Sequence, residues 1–566
     1  MTPNEELCVS LLGRYDQGKV RRANWESGWN DVAAYVLPRK RDTVRQPSSA
    51  AVNGPASAPV RFDTTATNAV RVCAGGLLSS LTPAGELWFR FNPSNPGVSS
   101  AVKSWLDDCT HRAAEALTAS NFYLSIHECL LDLSAFSLEG LFIEEGLAFQ
   151  GAERGELLNF VQVPVGTFTI EEDAEQRVDT VFRTFFWSAR QCAQKWGEER
   201  LSKEMREALA SKDPAAQTRQ FEIVQAIYPR RTGEFVSGPA IPDKRPVASV
   251  YIDVASRHII ENGGFYEMPV AVARLLREDN MIYGTGPADE VMPEVRMVNA
   301  MRRSFLLALE QQSNPQWLGP NDGSWRPDNR PGGIIYWDTS DSKNKPERLR
   351  DTARLDFIDP AIADSRQIIR QAWFNDMFQM LNRPEVLEQK MTAFQVAEMT
   401  QEKLLLFSPM FARITRELLT PALTRVFNVL LRREVFEPVP EDVNLGELSY
   451  QIDYVSRIAL AIRQAQTGAL AQTAQMLGAM AQFDPLAAHV IKWPKAGIMV
   501  ARNAGVPAEI IRDEDELAAI QQEQQQAQRA AQLAQMAGAA NQAAGAVQKL
   551  GPDAQRAATD AIGGAS

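Results

Sequence analysis

A chain of 566 residues, 45% hydrophobic and 23% charged, can bury several cores and, at about 150 residues per domain, makes three or four units. Its formal charge of −11 excludes a protein whose main task is to grip nucleic acid, because such proteins present basic surfaces to phosphates. Five scattered cysteines (Cys8, Cys73, Cys109, Cys129, Cys192), no run of eighteen uncharged apolar residues, and an amino terminus carrying Asn4, Glu5 and Glu6 predict buried reduced thiols, no membrane span and no secretion signal.

Residues 4 to 36 read as an amphipathic helix. Leu7, Leu11, Leu12, Tyr15, Trp25, Trp29, Val32 and Val36 fall near helical spacing until Pro38. Residues 39 to 60 are basic at first and then rich in Pro, Ser and Ala, the composition of a loop that buries little. Helices follow at about 64 to 81, 98 to 119 and 122 to 138. From about Phe160 the pattern changes to short alternating runs, FVQVPVGTFTI, VDTVFRTFFW, FEIVQAIYP and VASVYIDV, which predict a β-rich layer. A helical pattern from Ser188 to Ala210 interrupts it, so the region is α+β.

After Gly284-Thr285-Gly286-Pro287 a helix starts near Val291 to Pro293 and runs to about residue 312, with an apolar stripe of Val298, Met301, Phe305 and Leu309. A second helix of similar length, about 362 to 381, carries Ile362, Ile369, Trp373, Met377 and Met380. At about 20 residues each rod spans roughly 30 Å. Between them, 313 to 361 is full of Pro, Gly and Asp with strand-like pieces such as GGIIYW. A polar loop at 382 to 392 leads into a long helical stretch to about Arg433, restarted at Ser408-Pro409 and kinked at Pro421. From about Ala518 the chain is Ala/Gln low complexity without an aromatic residue, a helix in need of neighbours or a loose tail.

No catalytic constellation is legible. Gly13 to Val20 has phosphate-loop spacing, but Val20 stands where a Ser or Thr would hold magnesium, and no strand precedes it. Cys109 with His111, and His127 with Cys129, offer ligand pairs without a matching second pair. The carboxylate runs Glu171-Glu172-Asp173 and Asp513 to Glu516 read as solvated charges. The expectation is no enzyme, no metal, no cofactor and no small-molecule substrate.

In order and wording, several segments resemble the head-to-tail connecting (portal) proteins of short-tailed, podovirus-type bacteriophages. They are WESGWNDVAAYVLP (25 to 38), RFDTTATNAVRVCAGGLLSSLTPAGELWFRF (61 to 91), MIYGTGPADEVMPEVRMVN (281 to 299), MTAFQVAEMTQEKLLLFSPMFARITRELLTPALTRVF (391 to 427) and IDYVSRIALAIRQAQ (452 to 466). The resemblance spans about residues 10 to 510. It implies a mainly helical α+β portal-type fold in a ring of about twelve subunits, with the two matched helices completing their packing against neighbouring copies. The parts would be a wing at 1–286, a first stem helix at 287–312 and a clip at 313–361. A second stem helix at 362–381, a tunnel loop at 382–392, a wing helix region at 393–450, a crown at 451–517 and the tail at 518–566 would follow. Val298, Met301, Phe305, Leu309, Ile369, Trp373 and Met377 would pack the stem, while Arg383 and Lys390 would face double-stranded DNA in the channel. An acidic lining suits a conduit, since a channel that clung to DNA would stall it. The implied partners are the terminase packaging motor, then a tail adaptor, with capsid and scaffold proteins around the wing. The implied place is the portal vertex of the virion, after assembly in the host cytoplasm. The alternatives are a structural collar without DNA passage and a packaging ATPase, which would need the complete phosphate loop.

Overall fold

A computed structural model describes residues 3–40, 61–94, 99–146, 157–236, 241–313, 317–318, 347–348, 358–382, 407–439 and 450–455, with isolated helical residues between 473 and 530. The chain divides into two compact units, one of Met1–Phe91, Asp107–Val439 and Ile452–Ile462, the other of Asn92–Leu106, Pro440–Gln451 and Arg463–Ser566. Nearly all of the described residues belong to the first. The predicted crown and tail lie almost wholly outside the described residues.

Helix α1 (Pro3–Tyr35) ends one turn before Pro38, which opens a 3-10 turn at Pro38–Lys40. Next come α2 (Thr65–Leu81), strand β1 (Phe89–Pro93), α3 (Ser100–Ala119) and α4 (Phe122–Phe136). Strands β2 (Leu138–Glu145), β3 (Leu158–Val163), β4 (Phe168–Glu172) and β5 (Val178–Ser188) follow. The helical interruption is α5 (Ala189–Trp196), α6 (Lys203–Ala210) and a turn, α7 (Pro214–Thr218). Ser188 starts α5 with a capping box in which it and Gln191 satisfy each other's backbone N–H, and Ser202 caps α6. Then come β6 (Gln220–Pro229), β7 (Val247–Asp253), β8 (His258–Phe265) and β9 (Val270–Arg274).

The β-layer is larger than the sequence pattern predicts. β2 follows directly on α4, where Ser137 takes a left-handed conformation (φ 60°) that ends the helix, so the layer begins near 138 and not near 160. β8 contains Gly263-Gly264, which reads as a turn, and β9 is a five-residue apolar run that periodicity alone does not assign. The strands form an antiparallel sheet in the order β4-β5-β6-β7-β8 and a second in the order β3-β2-β9.

The five-stranded sheet is covered on both faces. Cys8, Leu11, Leu12 and Tyr15 of α1 pack against Phe182, Val224, Ala226, Val250 and Ile252. Cys192 and Trp196 of α5 and Met205 of α6 pack with Phe221, Ile223, Tyr251 and Ile260. Ile223 and Val224 point to opposite cores, which is why β6 reads as a nearly continuous apolar run. Gly18 of α1 passes so close to Thr169 that a Cβ there would sit 2.8 Å from its hydroxyl. That glycine belongs to a helix–sheet crossing and not to a phosphate loop.

The remaining helices are α8 (Pro287–Ser313), α9 (Ile358–Ala372), α10 (Asn375–Asn382), a helix over 407–414, a π-helical turn at Thr415–Leu419 and α11 (Thr420–Arg432). Between α8 and α9 the described residues hold an antiparallel pair, β10 (Trp317–Leu318) with β11 (Glu347–Arg348); the GGIIYW segment lies outside them. The last strand, β12 (Tyr450–Tyr454), is followed by Val455, whose N–H donates to the Trp88 carbonyl at 2.9 Å. The second predicted rod is two helices. Phe374 takes a positive φ (54°), and the Trp373 indole N–H beside it donates to the Ser134 carbonyl at 2.9 Å, so a tertiary contact breaks the helical pattern. The expected kink at Pro421 takes the form of the π-turn just before it, since proline offers no N–H to the preceding turn.

One ion-pair node ties these parts together. The Arg274 guanidinium, 2% exposed, donates to Glu417 from Nε (3.2 Å) and Nη2 (2.9 Å), to Glu172 and the Ile282 carbonyl from Nη1, and to the Gln176 carbonyl from Nη2. Removing it leaves Glu417 with Arg413 alone and Glu172 with Arg277 alone, and frees the Ile282 and Gln176 carbonyls. Arg274→Met should lower stability by about 3–5 kcal/mol in urea unfolding; a loss under about 1 kcal/mol would mean that water reaches the node.

Glu139 in β2 is fully buried, with no hydrogen-bond partner for either side-chain oxygen among the described residues. Burial pushes its carboxyl up to about 8; Cys129 and Lys40 oppose the rise and Asp132 adds to it. The folded chain therefore holds a proton that the unfolded chain, at the ordinary 4.5, has lost. The stabilisation is complete below pH 4.5 and fades as pH rises through about 8, by at most about 1.4 kcal/mol per pH unit. Glu139→Gln should flatten that slope in denaturation midpoints taken from pH 5 to 9, and an unchanged slope would place the titration elsewhere.

Candidate functional site: a half-buried helix pair

The motifs that suggest catalysis do not converge. Lys19 lies over the Tyr15 ring at 4.9 Å, on a helix whose backbone donors are used within it. Cys109 is buried while His111, two residues on, is exposed beside Asp107; Cys129 and His127 divide in the same way. On a helix, residues two apart face different sides, so neither pair can close on one ion. Burial pushes the Cys73, Cys109 and Cys192 thiols up to about 12, which leaves them unreactive as nucleophiles. Among the described residues no group of three or more His, Cys, Asp or Glu could hold a metal ion.

The arrangement with functional content is the pair α8 and α9, which pack side by side. Their base is fixed by polar contacts. Asn299 accepts the N–H groups of Phe62 and Asp63 at 3.1 and 3.2 Å through one oxygen and donates to the Val295 carbonyl at 2.8 Å. Arg366 of α9 grips Asp63, with its Nε 2.9 Å away. Burial alone would raise the Asp63 carboxyl, but hydrogen bonds from Thr65 and Arg366 overcome it and hold the group below its ordinary value. Beneath this junction Gly76 of α2 lies under the Phe378 ring of α10, where any Cβ would overlap it.

Above the base the burial stops. Val291, Met292, Val295, Val298 and Asn299 are buried, and after Asn299 no side chain of α8 is. The fourteen residues from Ala300 to Ser313 extend about 21 Å beyond it. This stretch exposes Leu306 (40%), Leu307 (51%) and Leu309 (40%), joined by Met297 of α8 and Ile368 of α9.

The predicted stem residues therefore fall into two groups. Val298, Ile369, Trp373 and Met377 are buried within their own subunit, while Met301 and Phe305 are half-buried and Leu309 is exposed. Trp373 is thus a core residue of the subunit. Arg383 and Lys390 lie outside the described residues. Sequence reasoning missed Leu306, Leu307 and Ile368 because it followed a single stripe per helix, and these stand off it.

The family model for the bacteriophage head to tail connecting protein matches residues 9–511. The chain is also similar to the "Portal protein" of Salmonella phage epsilon15, 26% identical over 522 residues, which cover 91% of this chain and 90% of that one. It is similar to the "Probable portal protein" of Bordetella phage BPP-1 as well, 26% identical over 529 residues covering 91% of each. With the match running through the two sheets, the helix pair and the π-turned helix alike, the chain belongs to the bacteriophage head to tail connecting protein family.

Proposed function

We propose that this chain is the repeating subunit of a phage portal, a ring through which double-stranded DNA enters the head and later leaves it. The observation that carries the reading is the family match over nearly the whole chain, together with a helix whose outer half exposes Leu306, Leu307 and Leu309 in the single subunit. Leu306, Leu307 and Leu309 gain by burial, and side-by-side copies in a closed ring would cover them through one repeated heterologous contact. In this reading residues 1–286 and 393–450 are the wing, 287–312 and 362–381 the stem, 313–361 the clip, 382–392 the tunnel loop, 451–517 the crown and 518–566 the tail. The clip meets the terminase motor during filling and the tail adaptor afterwards; the wing meets capsid and scaffold, and the ring sits at the head–tail junction of the virion. The subunit performs no catalysis of its own.

Images of the purified particle test the ring: tiers of wing and stem around an open channel, with about twelve subunits, are expected, and a solid disc or a monomer would overturn the portal reading. The stem has its own test. Leu307→Asp with Leu309→Asp should leave subunit stability within about 0.5 kcal/mol and abolish ring formation in light scattering. Trp373→Asp, by contrast, should cost several kcal/mol and unfold the subunit. Normal rings from the double variant would remove the outer half of α8 from the interface. For the loop, Arg383→Ala with Lys390→Ala should increase genome leakage from filled heads most at low salt, where phosphate contacts are strongest. Equal retention across a salt series would take both residues out of the channel.

A further inference from the structure

Strand β9 is the outer strand of its sheet, and its free edge looks onto an open cleft of about 500 Å³. The turn from Glu175 to Val178 forms one wall and the helical run from Pro409 to Pro421 another. Alternation along the strand sets which backbone groups face it. The Leu275 N–H donates inward to the Ser137 carbonyl and the Arg274 N–H outward to Glu417, so the Val272 N–H, two residues earlier, also points outward.

The lining is apolar at Met268, Val270, Val272 and Ala412, and it carries Arg177, Arg277, Arg413 and Arg416 beside Glu175 and Glu417. The carboxylates within reach are already shared. Glu417 serves Arg274 and Arg413, Glu172 serves Arg274 and Arg277, and Glu175 and Asp173 both pair with Arg177. Among the described residues Arg416 has no ion-pair partner, and it is exposed. A free strand edge above an apolar floor, rimmed by guanidinium groups, is suited to an extended segment that brings its own carboxylates.

We propose that this cleft receives an extended, carboxylate-bearing segment of the neighbouring copy of the same chain, an inference that rests on the ring reading above. The charge balance favours that occupant. Each copy carries 70 acidic against 59 basic residues, so the cationic rim of one subunit meets an acid-rich neighbour. A heterologous contact sets one face of a subunit against a different face of the next, which supplies one such segment for every cleft. The cleft then adds a salt-sensitive contact at the wing to the apolar contact along the stem.

The test uses the full chain as an Arg416→Lys variant, which keeps the charge and supplies an amine. Rings assembled from mixed nitrogen-15-labelled and unlabelled subunits are treated with a carbodiimide, which joins an amine to a carboxylate in contact as an amide. The cross-linked peptides are then read by mass spectrometry. Mixed-isotope cross-links between position 416 and an Asp or Glu of another copy are expected, and their yield should fall severalfold as salt is raised before coupling. In samples whose rings are seen by electron microscopy, cross-links confined to one subunit, or none, would overturn the inference while leaving the ring intact. Samples without rings would overturn both.

Discussion

Arg274 offers five N–H donors, and all five find acceptors from three separate parts of the chain. Its own strand β9, Glu172 and Gln176 at the end of β4, and Glu417 in the π-helical turn are held in one register by a single planar group. A lysine could not do this, because its donors do not spread in a fixed fork. Burial would lower the Arg274 pKa, but Glu417 and Glu172 overcome that and raise it, so the charge is held where the chain excludes water. The π-turn follows from the same geometry. Proline at 421 already weakens the helical ladder, and the extra residue in the turn accompanies Glu417 in reaching the guanidinium and the strand's backbone N–H together.

Two further buried arginines carry the sheets on aromatic faces. Arg183 lies 4.0 Å from the centre of the Phe142 ring and donates to Gln225, and Arg425 lies 5.1 Å from the Phe265 ring while donating to the Ile143 carbonyl and Glu267. Burial brings both down to about 10, which still leaves them charged at neutral pH. Phe142 and Phe265 meet edge to face at 6.1 Å, so the two sheets are joined by a row of cation, ring, ring and cation. Charge and ring thus tie the two sheets together, with Arg183 Nε and Arg425 Nη2 left without a hydrogen-bond partner among the described residues.

In the ring proposed above, the helix pair would connect these sheets to the neighbouring copies. Asn299 and the Asp63–Arg366 pair fix the base of α8, and beyond Asn299 no side chain of the helix is buried within the subunit. A ring closes only when each copy presents this rod at the same angle, so polar contacts at the base govern an apolar contact farther out.

Much of the architecture was legible in the residues themselves. The extents of α1, α2 and α4 follow from apolar spacing and from Pro38, while the second of the two rods expected around the insert is in fact two helices, broken at Phe374. The family was legible too, in the joint order of segments that are individually weak. What only the tertiary structure decided is the partner of each residue. Trp373 has the spacing of an interface residue and yet donates to Ser134, because periodicity says that a face is covered and not by what. Gly18 has the spacing of a phosphate loop and yet makes room for Thr169. The cationic cleft has no local signature at all, because its rim comes from 177, 277, 413 and 416, brought together by the strand order and the Arg274 node. Burial, ion pairing and titration depend on distances between residues far apart in the chain, and a sequence carries those distances only through its fold.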